Sequence, residues 1–225
     1  MGKPLLFLGS NSAIQLYVDA AMRQGIVVAG IIDSDYFGNT ENFKGIPIVG
    51  AELDLDKWRN DYEFFIATNT SPDPNHVRDN NKRKQLISLV EQHNIKCINL
   101  IDPVSYIGSN VTLGHGIFIG YNVHIEHDST VDSFAQIHFN AGVGHHCTIG
   151  KNTIIQRKCG LGNVTIGNNV YIGMWTQIYT SQKIEIGDNA VINQGLMISR
   201  NVKENEYVKL TRDAVRIYKN NTEII

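Results

Sequence analysis

The feature that most constrains the fold of this chain is a six-residue repeat of apolar residues in its second half. A period of six fits neither an amphipathic helix nor a simple alternating strand. It is typical of the hexapeptide β-helix, in which each apolar residue points inward and the chain turns between short strands. Ten apolar residues follow this period without a slip: Ile107, Leu113, Ile119, Ile125, Val131, Ile137, Val143, Ile149, Ile155 and Leu161.

The repeat also predicts which residues lie above one another. With three hexads in each coil, residues eighteen apart stack at about 4.8 Å, the spacing of neighbouring strands. The register shortens by one residue at Ile166 and resets at Ile186. Residues 107 to 201 therefore predict roughly five coils. The repeat alone does not define the hand of the solenoid.

The first half of the chain has a different pattern, in which strands and helices alternate. Apolar runs in "PLLFLG", "IVVAGIID", "EFFIATN" and "KCINL" predict strands, whereas "SAIQLYVDAAMRQG" and residues 75 to 94 predict helices. This alternation indicates a parallel sheet with right-handed crossovers, a small and incomplete Rossmann-like unit. The sequence thus predicts an α/β unit over 1–98, a parallel β-helix over 99–202 and a C-terminal tail over 203–225.

Composition excludes several classes of function. The chain has 225 residues and a formal net charge of −2, so no basic excess favours nucleic acid. Its longest apolar runs are too short to span a bilayer, so no membrane association is expected. Cys97, Cys147 and Cys159 are odd in number and show no CxxC spacing, which favours reduced thiols in the cytoplasm.

A pair of histidines in "NAGVGHHCTIG" (140–150) is the candidate reactive site. His145 and His146 follow the inward-pointing Val143, so both are expected at a corner outside the core. The segment "EHD" at 126–128 should lie one coil below them. A carboxylate there would orient an imidazole and raise its basicity, whereas a second cation would hold it neutral. Either arrangement predicts a reactive imidazole near neutral pH.

A corner histidine is more often simply solvated, and we interpret His115 and His138 in that way. For His145 the predicted stacking on His127 favours a functional role.

Taken together, the two-part organisation and "VGHHCTIG" resemble the nucleotide-sugar N-acyltransferases. These include the PglD-type and perosamine-type acetyltransferases, with the NeuD-type sialic acid O-acetyltransferases as near relatives. The resemblance covers nearly the whole chain. It implies a left-handed β-helix and a homotrimer with active sites between neighbouring β-helices. It also implies transfer of an acyl group, most simply acetyl from acetyl-CoA, to the amine of a nucleotide-linked amino sugar in bacterial lipopolysaccharide and O-antigen biosynthesis, without a metal.

The resemblance assigns roles to several residues of the β-helix. His145 matches the catalytic base. The family has an acidic residue next, where this chain has His146, so we expect Asp128 or Glu126 from the coil below to replace it. Gly162 in "GLGNVTIG" matches the glycine whose backbone N–H supports the thioester oxygen; the alternative is a turn glycine. The resemblance also places His146 and Gly162 beside the acyl-CoA.

In the first half, "FLGSNS" stands where the family has a glycine-rich phosphate loop. Its backbone N–H groups and hydroxyls are expected to bind a diphosphate; a simple helix cap at a serine is the alternative. An acidic residue after the second strand is expected to hold the nucleoside, although a solvated loop would look the same. The candidate substrate-binding residues are Gly9, Ser10, Asn11, Ser12, Asp33 and Asp35.

The C-terminal end departs from the family. Its usual "G-x-P-A" turn is replaced by "NVKENEYVKLTRDAVRIYKN", in which Lys209 and Arg212 are predicted to contact coenzyme A phosphates. Loss of that contact is the alternative.

Three other functions remain open. One is a sialic acid O-acetyltransferase-like enzyme. Another is a zinc enzyme like the β-helical γ-carbonic anhydrases, whose zinc takes three histidines across a subunit interface. The stacked His127 and His145, with His146 near, favour it, but one chain would need a third ligand within reach. The third is a non-catalytic sugar-nucleotide-binding partner, favoured by the missing acidic neighbour and the altered ending.

Overall fold

The computed structural model of the chain describes residues 2–69, 77–210, 218–219 and 222–223. Its first half forms one sheet, sheet 1, with strand order β3-β4-β2-β1-β5. All neighbours in sheet 1 are parallel except the β3–β4 hairpin. The elements are β1 (Leu5–Leu8), α1 (Gln15–Arg23), β2 (Val28–Ile32), β3 (Asn42–Phe43), β4 (Ile46–Gly50), a 3-10 helix (Glu52–Lys57), β5 (Glu63–Ile66) and α2 (Val77–Gln92).

Most of the predicted elements of the first half are confirmed, and two were missed. The strands in "PLLFLG", "IVVAGIID" and "EFFIATN" and both helices are present. The β3–β4 hairpin and the 3-10 helix were not predicted. Of the strand predicted in "KCINL", only the last residue, Leu100, lies in a strand, β6, which pairs with the β-helix.

The second half is a three-sided parallel β-helix built from strands of two or three residues. These strands are β6 (Leu100–Ile101), β7 (Tyr106–Ile107), β8 (Thr112–Leu113), β9 (Phe118–Ile119), β10 (His124–Ile125), β11 (Thr130–Val131), β12 (Gln136–Ile137), β13 (Gly142–Val143), β14 (Thr148–Ile149), β15 (Ile154–Ile155), β16 (Gly160–Leu161), β17 (Val164–Ile166), β18 (Tyr171–Ile172), β19 (Gln177–Ile178), β20 (Ile184–Ile186), β21 (Val191–Ile192), β22 (Met197–Ile198) and β23 (Tyr207–Val208). A short antiparallel pair, β24 (Tyr218–Lys219) and β25 (Thr222–Glu223), follows.

Three sheets form the sides of the β-helix. Sheet 2 has the order β22-β19-β16-β13-β10-β7, sheet 3 the order β20-β17-β14-β11-β8, and sheet 4 the order β23-β21-β18-β15-β12-β9-β6. Each third strand is therefore a neighbour, as the hexad repeat predicts. Sheet 4 continues to β23, beyond the end predicted at residue 202.

The register of the ladder follows the register of the sequence. In the middle coils the partners are eighteen residues apart, as in the pair Ile125 and Val143. Leu161 pairs with Ile178, one residue short of that spacing, and Ile178 pairs with Ile198, two residues beyond it. The slip and the reset predicted around residues 166 and 186 are therefore confirmed.

The inward residues form one continuous apolar core along the solenoid. At the corners the backbone adopts the left-handed conformation, which Asn and Asp accept more readily than other non-glycine residues. Asp128 and His146 are two such corner residues, each with φ 57°. The others in the β-helix are Asn110, Asn122, Phe134, Asn140, Asn152, Lys158, Asn163, Asn169, Trp175, Asn189 and Asn205.

The two halves of the chain share a buried, polar contact. Arg83 of α2 is fully buried and donates hydrogen bonds to the backbone oxygens of Thr68 and Phe134, both at 2.6 Å. Its Nε donates to Oδ1 of Asn152 at 2.8 Å. Burial lowers the pKa of Arg83 to about 10. Because this guanidinium joins α2 to corner residues of the β-helix, it fixes the first half on the solenoid.

The interpretation of His138 and His115 as solvated histidines is wrong. His138 is 1% exposed, because the first half of the chain covers this part of sheet 4. Both of its ring nitrogens lack a hydrogen-bond partner among the described residues. Burial, and then the charges of Arg157 and Arg83, lower the pKa of His138 to about 3. His115 is half-buried against the ring of Phe134.

Among the residues that the structure describes, no helix has the length and apolar character needed to cross a membrane.

Candidate active site

The corner between sheets 2 and 3 brings the predicted histidines together. The rings of His127 and His145 are stacked, with centroids 5.3 Å apart and an interplanar angle of 7°. The ring of His146 stands edge-on to both. The backbone N–H of His146 donates to the oxygen of His127 at 3.3 Å, so the ladder itself holds the two coils in register. The predicted stacking of "GHH" over "EHD" is confirmed.

The contacts of the His145 ring differ from the prediction. Its Nδ1 lies 2.8 Å from Nδ1 of His146, so one of these two nitrogens donates a proton to the other. Oδ2 of Asp128 lies 2.7 Å from Nδ1 of His127 and 3.9 Å from Nε2 of His146. Asp128 therefore reaches His145 only through His146. The expected direct contact between this carboxylate and the His145 ring is not present, because the two side chains leave adjacent coils at different corner positions.

Glu126 also has a different role from the one expected. Its Oε2 accepts the backbone N–H of His145 at 3.1 Å. Glu126 thus fixes the main chain at the base of His145, and the imidazole is oriented by His146.

Asp128 is held as a carboxylate at this corner. Its Oδ1 accepts a hydrogen bond from Nδ2 of Asn110 at 3.0 Å. The hydrogen bond from His127, and then the one from Asn110, lower the pKa of Asp128 below its usual value. The negative charge is therefore available beside the imidazoles at neutral pH.

His145 lies at the edge of an open groove with a volume of about 770 Å³. Sheet 2 forms its floor, where Gly142 leaves open space and the side chain of Gln177 lies over Gly160. The lining residues are His124, Glu126, Gly142, Val143, Gly144, His145, Gly160, Leu161, Gly162, Asn163, Gln177, Tyr179, Thr180 and Ser181. A reactive imidazole and a space for an extended ligand therefore coincide.

Gly162 lines this groove, but the role predicted for its N–H is wrong. That N–H donates to the oxygen of Ile178 at 2.8 Å within the strand ladder, so it is not free for a thioester oxygen. A Cβ at this position would collide with the ring of Tyr179. Gly162 thus allows the exposed Tyr179 ring to lie against the wall of the groove.

The second candidate site lies at the carboxyl ends of β1 and β2. Asp33 is fully buried, and its Oδ2 accepts the hydroxyl of Ser10 at 2.6 Å. Lys82 of α2 binds Oδ1 of Asp33 and lies 2.8 Å from Oδ2 of Asp35. Burial lowers the pKa of Lys82, but its hydrogen bonds and the charges of these carboxylates outweigh that effect and raise it. The site is a partly buried ion cluster, in which the buried Asp33 anchors Lys82 and Asp35 is exposed.

The sequence did not indicate Lys82 as a site residue, because Lys82 lies far along the chain from Asp33.

A cavity of about 460 Å³ lies beside this ion cluster and is lined by Ser34, Asp35, Glu52, Leu53, Asn81, Lys82, Gln85, Leu86 and Leu89.

The loop before α1 is shaped by Gly9 and Asn11. Gly9 has φ 69°, and Oδ1 of Asn11 accepts the N–H of Ala13 at 2.6 Å. The backbone oxygen of Ser12 accepts Nζ of Lys44. The alternative that a serine caps α1 is wrong, because Ile14 is the cap residue and no side chain bonds there.

Of the two cations predicted at the C-terminal end, Lys209 is exposed, with its Nζ 5.8 Å from the centre of the Tyr207 ring. Arg212 lies outside the described residues.

The ligand-type atoms of His127, Asp128 and His146 all lie within 4.8 Å of one another. The zinc-enzyme alternative started from the stacked His127 and His145, whereas in this set Asp128 and His146 join His127.

The protein is thus a small α/β unit followed by a parallel β-helix, in which His127, His145 and His146 form a histidine corner beside an open groove. No protein-family model matches the chain. Over 114 residues it is 29% identical to the galactoside O-acetyltransferase of Escherichia coli (strain K12), a match that covers 47% of this chain and 53% of that protein. The chain thus matches about half the length of this curated relative.

Solved structures share the fold over nearly the whole chain. PerB from Caulobacter crescentus, in complex with CoA and GDP-perosamine, has a TM-score of 0.76 at 23% identity, covering 89% of this chain and 91% of PerB. The acetyltransferase domain of PglB from Neisseria gonorrhoeae FA1090, in complex with acetyl coenzyme A, has a TM-score of 0.79 at 17% identity, covering 92% and 96%. WeeI from Acinetobacter baumannii AYE has a TM-score of 0.75 at 20% identity, covering 91% and 95%. The predicted resemblance to sugar acetyltransferases is therefore confirmed at the level of the fold.

Proposed function

We propose that this protein transfers an acyl group, most simply acetyl, from acyl-CoA to the amine of a nucleotide-linked amino sugar. The observation that carries the proposal is the position of His145, stacked on His127 at the edge of the open groove of about 770 Å³. The bound CoA and GDP-perosamine of PerB, and the acetyl-CoA of the PglB domain, support the substrate class. Transfer to a sugar hydroxyl, as in an O-acetyltransferase, is the alternative within this class.

In the proposed mechanism His145 acts as the general base. When His145 carries its ring proton on Nδ1 and donates it to His146, its Nε2 is free to accept a proton. The sugar amine attacks the thioester carbonyl, the new C–N bond forms, and Nε2 takes the proton that the nitrogen loses. The C–S bond then breaks, and His145 returns the proton to the departing thiolate of CoA.

The neighbours of His145 stabilise the imidazolium in this step. Asp128 lies behind His146, so its negative charge favours the protonated form of the imidazole pair. Glu126 holds the backbone of His145 and keeps the ring at the edge of the groove. The oxyanion needs a donor other than the N–H of Gly162, which is engaged in the strand ladder.

The sugar nucleotide would bind in the first half of the chain. We propose that the loop from Gly9 to Ser12 and the Lys82 cluster receive its diphosphate and nucleoside. In that arrangement Asp33 acts indirectly, since it is buried and positions Lys82 and Ser10.

We further propose a function for each part of the chain and an oligomeric state. Residues 1–98 form a Rossmann-like substrate-binding unit and 99–202 most of a left-handed β-helix for acyl transfer. Residues 203–225 add β23 to that β-helix and form a tail in which Lys209 meets CoA phosphates. The chain would act as a cytoplasmic homotrimer, in which a neighbouring β-helix completes the open groove, in a bacterial surface-glycan pathway.

The test is a thiol-release assay with purified protein, acyl-CoA donors of increasing chain length and a panel of nucleotide-linked amino sugars. Release of CoA that depends on one amino sugar supports the proposal. Binding of CoA without release for any acceptor would instead favour a non-catalytic partner.

A further inference from the structure

We infer that His127, Asp128 and His146 bind a divalent transition-metal ion such as Zn²⁺, and that the bound ion switches off His145. The binding site stands on its own geometry, whereas the switching of activity rests on the proposed acyl transfer.

Three side-chain atoms converge at this corner. Oδ2 of Asp128 lies 2.7 Å from Nδ1 of His127 and 3.9 Å from Nε2 of His146, and all three atoms fall within 4.8 Å of one another. Zinc bonds of about 2.0–2.2 Å in a tetrahedron place ligand atoms roughly 3.4 Å apart. The side chains are 51%, 39% and 65% exposed, in the order of the chain, so small rotations can close this difference. Water can complete the coordination.

The ligand set selects the kind of ion. Two imidazoles and one carboxylate suit Zn²⁺, Co²⁺, Ni²⁺ or Cu²⁺, whereas Ca²⁺ and Mg²⁺ prefer oxygen ligands throughout.

The backbone holds the ligands in place before an ion binds. His127 and Asp128 lie on one coil and His146 on the next, and the ladder hydrogen bond from His146 N–H to His127 O joins them. The N–H of Asp128 is tied in turn to the oxygen of Ser109 at 3.1 Å. Metal binding therefore requires little reorganisation of the protein beyond the rotation of these side chains.

An outer layer of hydrogen bonds already orients two of the ligands. Nδ2 of Asn110 donates to Oδ1 of Asp128, which leaves Oδ2 facing the imidazoles. His145 contacts Nδ1 of His146, which leaves Nε2 of His146 to face the carboxylate. Partners of this kind fix the orientation and basicity of metal ligands.

The contact between His145 and His146 makes metal binding and base catalysis mutually exclusive. Between two neutral imidazoles, the Nδ1–Nδ1 contact holds a single proton. For His145 to be the base, that proton sits on His145, and His146 carries its own proton on Nε2. When His146 binds the ion through Nε2, its proton moves to Nδ1 and is donated to His145. His145 then carries its proton on Nε2 and cannot accept another there. Both rings stay neutral, so no net proton is gained or lost.

The binding site is tested by titrating EDTA-treated protein with Zn²⁺ in a calorimeter and with Co²⁺ by its d–d absorption. We expect one site per chain, weakened at least about tenfold in His127→Gln and in Asn110→Gly. Asn110 has φ 58°, so glycine removes only the amide. His93→Gln is the matched control, because His93 and Asp56 form an exposed pair without a third ligand in the described chain (Nδ1–Oδ2 3.1 Å). Equal affinity for wild type and His127→Gln would overturn the site.

The switch is tested without any turnover by NMR of ¹⁵N-labelled histidine. Zn²⁺ should move the proton of His145 from Nδ1 to Nε2, and His127→Gln should prevent this change at the same Zn²⁺ concentration. Zinc binding at this site with no change in the His145 tautomer would overturn the switch.

The consequence for activity is then measured in the thiol-release assay. We expect Zn²⁺ to lower kcat with little change in KM, EDTA to restore it, and His127→Gln to resist inhibition when its rate with Zn²⁺ is compared with its own zinc-free rate. Activation by Zn²⁺ would overturn the inference in favour of a catalytic ion. If metal-free protein transfers no acyl group at all, the proposed function fails, and the binding and NMR results still decide the metal site.

Discussion

The buried histidine at position 138 makes the stability of this protein sensitive to mild acid. His138 is 1% exposed and its pKa is lowered to about 3, whereas an unfolded histidine titrates near 6.5. Between these two pH values His138 is protonated in the unfolded chain and remains neutral in the folded chain. The free energy of unfolding therefore falls as the pH decreases through this range.

The size of the effect follows from the shift. Each pH unit below about 6.5 costs roughly 1.4 kcal/mol, so His138 alone removes about 2 kcal/mol by pH 5 and about 5 kcal/mol by pH 3. The assay is urea unfolding at pH 7, 6 and 5, with His138→Leu as the matched variant. Leucine also removes two unpartnered buried nitrogens, so the variant should be no less stable at pH 7. The same loss of stability towards pH 5 in both proteins would show that His138 is not the source of the acid sensitivity.

Three further predictions concern other parts of the molecule. Arg83→Leu leaves three backbone carbonyls without their buried donor and should lower the free energy of unfolding by about 3 kcal/mol or more, measured by urea unfolding. Gly150→Ala should lower the free energy of unfolding by about 1–3 kcal/mol, because its Cβ would collide with a backbone oxygen. The Cβ of Gly142→Ala meets no atom within 4 Å, so this variant should be as stable as the wild type. Equal stabilities of the two variants would contradict this prediction. Asp128→Asn should lower kcat by less than the roughly hundredfold expected for loss of the base, because Asp128 acts through His146. A larger loss of kcat would contradict this indirect role of Asp128.

The β-helix was predictable because its period is written directly in the sequence. Each inward position from Ile107 to Leu161 is occupied by one apolar residue. Because most strands have only two residues, this repeat alone defines which strands pair and in which register. Even the slip at Ile166 appears in the ladder as a shortened coil. The hairpin of β3 and β4 was missed because its first strand, Asn42–Phe43, is too short for an alternating pattern.

What the sequence could not predict depends on packing between the halves of the chain. A hexad pattern places His138 outside the solenoid core, but only the docked α/β unit buries it. In the same way, nothing local to Lys82 indicates that it meets Asp33, which lies on another element.

At the candidate site the arithmetic of the repeat located the residues but not their contacts. Stacking by eighteen residues placed His127 under His145, and the rings do stack. Which carboxylate meets which imidazole depends on side-chain rotamers, and here His146 lies between Asp128 and His145. Likewise, the engagement of the Gly162 N–H follows from the ladder rather than from the motif.

The role of His145 as the general base is tested by the rate of CoA release by His145→Ala, measured with the acceptor that the wild-type protein uses. His124→Ala, which alters the same groove on a neighbouring strand, is the control, and light scattering checks that neither variant changes the assembly. We predict a kcat roughly a hundred- to ten-thousand-fold lower for His145→Ala, because the group that accepts the amine proton is gone. A kcat equal to that of the wild type would contradict the assignment of His145 as the base.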